Sequence, residues 1–128
     1  MTHRLPVRVY YEDTDMAGIV YYANYLRYIE RARSDWVRGM GIDQNRMKEE
    51  GLAFAVRRVE ADYLVPARLD DELVVETEVV QVTAARMVMD QKVWRGTDLL
   101  FQALVTVVTI TDAGQPTRLP AHLRHGLH

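Results

Sequence analysis

No cysteine occurs anywhere in the chain. That absence removes disulfides, a thiolate nucleophile and zinc-thiolate sites from consideration, and it is compatible with a reducing compartment. Neither sign of charge dominates: sixteen Lys and Arg stand against eighteen Asp and Glu, for a net charge of -2. No global positive field therefore draws the protein to nucleic acid or to an anionic membrane, and any anion site must be local. No apolar run approaches the ~18 residues of a membrane-spanning helix, and Met1 to Val7 lack the apolar core of a signal peptide. A cytoplasmic protein without membrane insertion is the expectation. Walker loops, dinucleotide-binding glycine motifs, internal repeats, low-complexity segments and an interdomain linker are also missing.

What remains is an ordinary globular balance. The 128 residues are 48% hydrophobic and 27% charged, so residues 1–128 read as a single domain with a genuine core. Leu5 to Glu12 alternates Val7, Val9 and Tyr11 with Pro6, Arg8 and Tyr10, a period of two that predicts a strand with these three side chains on its buried face. Asp13 to Gly18 reads as a turn, because Asp and Thr side chains satisfy nearby backbone groups and Gly18 permits a positive φ.

From Tyr22 to Met40 the spacing becomes helical. Tyr22, Tyr25, Leu26, Ile29, Ala32, Trp36, Val37 and Met40 recur at three and four, with Arg27, Glu30, Arg31 and Asp35 opposite. Gly39 and Gly41 stop this helix, and Asp43 caps a further short helical turn that Gly51 ends. Ala53 to Tyr63 alternates with a slip of phase at Arg57 and Arg58, which predicts a bulge. Glu72 to Thr83, Arg86 to Arg95 and Asp98 to Thr111 then read as an antiparallel meander with short turns. Leu99 to Ile110 is apolar on both parities and is expected to be central and covered on both faces. The tail from Asp112 reads as an irregular or short-strand end. One long helix and five long strands suit a helix lying in the concavity of a curved sheet.

The chemistry concentrates at Glu12, Asp13 and Asp15. Asp15 stands three residues before Gly18 and seven before the helix start at Tyr22, close enough to bring its carboxylate near the unpaired N–H groups of a helix N-terminus. Such N–H groups form a ready oxyanion site, and a carboxylate opposite them acts as nucleophile or as general base for water. The pattern also has plainer readings. Asp-x-Asp before a glycine is a common turn and cap, and the three acids are a candidate hard-cation site, although no EF-hand spacing follows.

Arg8-Val9, Thr14-Asp15, Gly18-Ile19-Val20, Tyr21 and Tyr25, at the spacing they have here, resemble the signature of the hotdog-fold thioesterases of the 4-hydroxybenzoyl-CoA thioesterase type. Pro6 to Asp15, with Glu30-Arg31-Ala32-Arg33 and Tyr63 to Asp71, is similar to the YbgC branch, acyl-CoA thioesterases linked to the Tol-Pal envelope system. The likeness spans about residues 5 to 111. It implies an α+β hotdog fold, a five-stranded antiparallel sheet wrapped around one long central helix. It also implies a homo-oligomer, at least a dimer with two active sites at its interface, tetramers being common in such families. The implied activity is hydrolysis of a small to medium acyl-CoA, or of an acyl carrier protein thioester. Asp15 would be base or nucleophile, the backbone N–H near Tyr22 would polarise the carbonyl, and Tyr11 matches a position associated with the active site. Neither a metal nor a bound cofactor is implied, since coenzyme A is part of the substrate. The YbgC branch usually has His where this chain has Tyr22, so a short-chain preference does not carry over.

A coenzyme A substrate calls for cations, and Arg57, Arg58 and Arg86 are the candidates for its phosphates. Exposed strand-edge arginines also serve simply as solvated or edge-protecting groups. Asn24 and Glu30 are candidate site-lining residues that helix polarity explains equally well. His122, His125 and His128 share helical spacing, which a polar tail accounts for. Two other classes stay open. A noncatalytic acyl-CoA-binding or envelope-complex assembly module on the same fold is one; a hotdog dehydratase is the other, but it needs a catalytic His and the only early one, His3, precedes the first strand.

Overall fold

The computed structural model describes residues 2–126. Strands β1 (Thr2–Arg8), β2 (Leu52–Tyr63), β3 (Glu72–Val82), β4 (Arg86–Arg95) and β5 (Asp98–Thr111) form an antiparallel sheet in the order β1-β3-β4-β5-β2, and a two-residue β6 (Pro116–Thr117) pairs with β5. The long helix α1 (Tyr22–Gly39) packs across β1, β3 and β4, and α2 (Gln44–Glu49) packs on β2. This is the α+β hotdog arrangement, with one helix held by a single broad sheet.

Most elements follow from local chemistry. The α1 side chains Tyr25, Tyr28, Ile29, Ala32, Trp36 and Val37 are buried at three- and four-residue spacing, each fully buried large side chain contributing about 1.5–3 kcal/mol of apolar transfer. The stripe sits slightly round from the expected one: Tyr28 is fully buried, whereas Leu26 and Tyr22 stay exposed. Gly41, at φ +80°, turns the chain away after the C-cap Met40. Asp43 caps α2 by accepting from the N–H groups of Asn45 and Arg46. The register of β2 on β5 shifts between Val56 and Arg58, where the sequence changes phase.

Three expectations are corrected. First, β1 runs from Thr2 to Arg8 rather than from Leu5 to Glu12, so His3 lies within the strand, paired with Thr77, instead of before it. Tyr11 lies in a 3-10 turn (Tyr11–Asp13) with 82% of its surface exposed instead of sharing the inward face of Val9. The Asp13 carboxylate accepts from the Tyr10 N–H at 2.9 Å and the Asp13 N–H bonds the Tyr10 carbonyl, so a local side-chain cap outcompetes the strand ladder. Second, β5 is central in pairing but covered on one face. Phe101, Ala103, Val105 and Val107 are buried against α1's side, while Leu104 on the other face is 40% exposed. Third, the tail does more than trail off: α3 (Ala121–Gly126) follows β6, and Leu119 and Leu123 join the core. The backbone of α3 includes His122 and His125, and His128 lies outside the described residues.

A polar row crosses the interior beneath α1. Gln91, fully buried, donates to the Ile29 carbonyl and to Thr77 Oγ1 at 2.9 Å each, and accepts from Arg33 Nη1 at 2.9 Å. Complete satisfaction of this kind makes buried polar groups tolerable and fixes the helix at one height on the sheet. Among the described residues, no helix is long and apolar enough to cross a membrane.

Candidate functional site

The Asp15 segment is a small hairpin. Asp15 N–H bonds the Ile19 carbonyl at 2.9 Å, Gly18 N–H bonds the Asp15 carbonyl at 3.0 Å, and Thr14 bridges Val20. Gly18, at φ +78°, supplies the left-handed step that closes it. The Asp15 carboxylate is exposed and accepts from the Ala17 N–H at 2.9 Å, which aims it without burying it.

This hairpin is fastened to two neighbours. Val20 N–H bonds the Ala67 carbonyl at 2.8 Å, and Ile19 bridges Arg68. On the other side, the Asp13 carbonyl accepts from both the Tyr21 N–H and Asn24 Nδ2, each at 2.9 Å. Asp13 is thus the residue that ties the hairpin to the start of α1. Its carboxylate also lies beside the buried Tyr28 hydroxyl, short of hydrogen-bond geometry, and burial first, then that carboxylate, push the phenol well above its ordinary pKa.

No side chain caps α1. Tyr21 N–H is taken by Asp13 and Asn24 N–H by the Tyr21 carbonyl. The N–H groups of Tyr22 and Ala23 are left without an acceptor among the described residues. Asp15, Tyr21, Tyr22, Tyr25, Tyr63 and Val65 line a cleft of about 350 Å³ at this helix end. Its aromatic wall is continuous, with Tyr25 stacked on Phe101 at 5.1 Å and Tyr63 edge-on to both. A carboxylate and an uncapped helix N-terminus facing one aromatic cleft can activate water and stabilise an oxyanion in the same small volume.

The candidate residues divide by location. Asp15 and Tyr22 line the cleft; Asn24 is buried behind it, its amide committed to the Asp13 carbonyl. Tyr11 stands outside the cleft wall, its carbonyl accepting from the Thr14 N–H and hydroxyl. Arg57 and Arg58 are exposed at the bulge midway along β2, and Arg86 is exposed at the start of β4. Arg58 pairs with Glu60 and lies five positions before Tyr63 on β2, or ~17 Å along the strand. Arg86 faces Val108, seven positions from Phe101 on β5, or ~23 Å away. Glu30 lines a separate cavity of about 180 Å³ with Arg33, Phe54 and Met87.

Sequence reasoning did not single out Tyr63, nor the Asp71–Arg95 pair that fixes the cleft's outer loop. Asp71 Oδ2 accepts from the Arg68 N–H and from Arg95 Nη1, both at 2.8 Å. Burial acts to raise the Asp71 pKa, but the Arg68 N–H and the Arg95 guanidinium outweigh it and hold the carboxyl below its ordinary value. A depressed folded-state value means that this stabilisation is complete above the unfolded carboxyl's pKa, ~3.9, and is lost as pH falls through the folded one. In urea melts, the gap between the wild-type and Asp71→Asn midpoints should be constant near neutral pH and close below about pH 4. A gap that persists undiminished in acid would assign the loss to packing instead of charge.

A model of the thioesterase superfamily matches residues 17–102, more than half of the chain. The chain belongs to the thioesterase superfamily. This superfamily member is 44% identical over 126 residues to the acyl-CoA thioesterase YbgC of Haemophilus influenzae, covering 96% of this chain and 92% of that protein. It is 42% identical over 109 residues to the acyl-CoA thioester hydrolase YbgC of Escherichia coli, covering 85% of this chain and 81% of that one. The crystal structure of a probable thioesterase from Bartonella henselae superposes with a TM-score of 0.90 at 36% identity, covering 94% of this chain and all of that one. The superfamily match begins two residues after Asp15, so the carboxylate's place in the cleft rests on the geometry above.

Proposed function

We propose that this protein is an acyl-CoA thioesterase that hydrolyses small to medium acyl thioesters to the free acid and coenzyme A. The observation that carries the reading is that Asp15 and the uncapped start of α1 line one cleft. The thioester carbonyl oxygen lies against the Tyr22 and Ala23 N–H groups, which stabilise the charge that develops there. Either Asp15 takes a proton from the attacking water, the C–S bond of the tetrahedral intermediate breaks and the thiolate receives that proton; or Asp15 attacks the carbonyl carbon and the C–S bond breaks to leave a mixed anhydride and the thiolate. In the second case water then hydrolyses the anhydride to the free acid, its proton going to the thiolate. Water is the only co-reactant this scheme requires. An acyl carrier protein thioester presents the same reacting group, and a cytoplasmic location suits either carrier.

The working form in this reading is at least a dimer, and a tetramer is compatible with it. β2 is an edge strand of twelve residues that leaves Val56, Val59 and Tyr63 exposed, and the outer sheet face leaves Leu104 exposed. Long apolar edges of this kind need a partner. Pairing through β2 brings a second copy's strand beside the cleft, where Arg57, Arg58 and Arg86 of that copy become available to coenzyme A phosphates.

A noncatalytic acyl-CoA-binding or assembly module is the second reading, favoured by Tyr22 standing where the YbgC branch usually has His. Thiol release measured over aromatic, short and long acyl-CoAs separates the two. Release with at least one class is expected. Saturable binding with no thiol released by any of them would replace the enzyme with the module.

A further inference from the structure

Tyr63 ends β2 opposite Phe101 and is 47% exposed. Its ring stands edge-on to Tyr25 at 5.5 Å and to Phe101 at 5.0 Å. From there its hydroxyl donates to the Tyr22 carbonyl at 3.0 Å. That carbonyl belongs to the first residue of α1 and shares one planar peptide unit with the N–H of Ala23. Ala23 and Tyr22 carry the N–H groups left free at the helix start, so the phenol holds the back of a peptide whose front is a candidate oxyanion donor.

We infer that Tyr63 is a positioning residue for the oxyanion site, acting through the Tyr22–Ala23 peptide; the inference rests on the thioesterase reading of the cleft. Two physical effects follow from one hydrogen bond. It fixes the plane of a peptide in the helix's first turn, where end-fraying otherwise loosens the backbone. It also polarises that peptide, because a donor on the carbonyl draws electron density from the amide nitrogen and makes its N–H a better donor. The aromatic packing on Tyr25 and Phe101 holds the phenol at the height of the first turn.

A purely structural role explains the contact poorly. In the single chain the phenol is half-exposed and a carbonyl has a second lone pair free beyond the helical one, so neither group needs the other for the chain to fold. Burial, followed by the neighbouring Tyr22 and Tyr25 hydroxyls, raises the Tyr63 pKa above its ordinary value. The group therefore remains a donor across the neutral range.

Tyr63→Phe removes the hydroxyl and keeps the ring. The expected result is a kcat about 10-fold lower, a smaller loss than the ~100-fold or more of deleting a direct oxyanion donor. KM and the affinity for a non-hydrolysable thioether analogue of the acyl-CoA should stay within about twofold, since the effect belongs to the transition state, and Tm should not move. A wild-type kcat overturns the inference. So does a loss of kcat matched by an equal loss of thioether affinity, which would make Tyr63 an ordinary substrate contact. Asp15→Asn run in parallel keeps the two levels apart: if it retains turnover the reading of the centre fails, whereas an inactive Asp15→Asn beside a wild-type Tyr63→Phe removes only the role of Tyr63.

Discussion

Replacing Asp15 by Asn is expected to leave the fold intact and to lower turnover at least ~100-fold, the lower range for loss of one acid-base group. The fold should survive because the carboxylate is exposed and makes a single local contact, acceptance from the Ala17 N–H at 2.9 Å, which an amide oxygen can also make. The chemistry should not survive, because an amide neither takes a proton from water at neutral pH nor attacks a carbonyl. Thiol release gives kcat, and a thermal melt on the same sample checks that the two effects separate. Unchanged hydrolysis would remove Asp15 from the mechanism. Asp13 offers no such clean test: it is buried, and its carboxylate and carbonyl hold the Tyr10 and Tyr21 N–H groups.

The largest stability effect is expected at Phe101. Its side chain is fully buried, stacked on Tyr25 at 5.1 Å with only 13° between the ring planes, and edge-on to Tyr63 at 5.0 Å. Phe101→Ala should cost about 3–5 kcal/mol through lost transfer energy and an unfilled cavity, a large share of the ~5–15 kcal/mol that holds a typical domain together. Urea denaturation should show a lower midpoint with an unchanged slope, since the surface exposed on unfolding barely changes. Phe101→Leu keeps most of the volume and should cost roughly 1–1.5 kcal/mol. A loss under about 1 kcal/mol for the alanine variant would mean that the aromatic wall is not tightly packed.

The two expectations fail in different assays because the residues act at different levels. Asp15 sits on a hairpin whose backbone bonds, to Ile19, Ala67 and their neighbours, do not involve its carboxylate. Phe101 touches no reacting atom, yet it backs Tyr25 and Tyr63, which line the cleft. Its removal should loosen the wall as well as the fold, so kcat measured well below the melting transition is expected to fall too, by less than for Asp15→Asn.

Elements with strong local signals were legible in the chain. The long helix ends at Gly39, one residue short of the expected Met40, and the cap at Asp43 and the slip beside Arg57 stand where composition placed them. The end of β1 was not legible, because alternation continues through Tyr11 while the Asp13 cap, a contact three residues on, takes the backbone away. The faces of β5 were not legible either: an apolar residue looks the same whether α1 covers it or whether, like Leu104, it is left 40% exposed in the single chain. Leu119 and Leu123 read as tail because burial of two residues in a proline-bearing segment leaves no period to detect.

At the site, the spacing from Asp15 to Tyr22 already brought a carboxylate to a helix end, since seven residues closed by a positive-φ glycine have little room to go elsewhere. Sequence by itself therefore determined the helix, the presence of five long strands, the bulge and the carboxylate beside the helix start. All of these depend on residues within a few positions of one another. Only the tertiary structure decided that Tyr63 reaches the Tyr22 carbonyl, that Arg95 secures the cleft's outer loop through Asp71, and that Arg58 and Arg86 lie far from Asp15 within one chain. Those relations join residues 41 and 24 positions apart in the first two cases. They are set by strand order and register, which the pattern of a single strand does not encode.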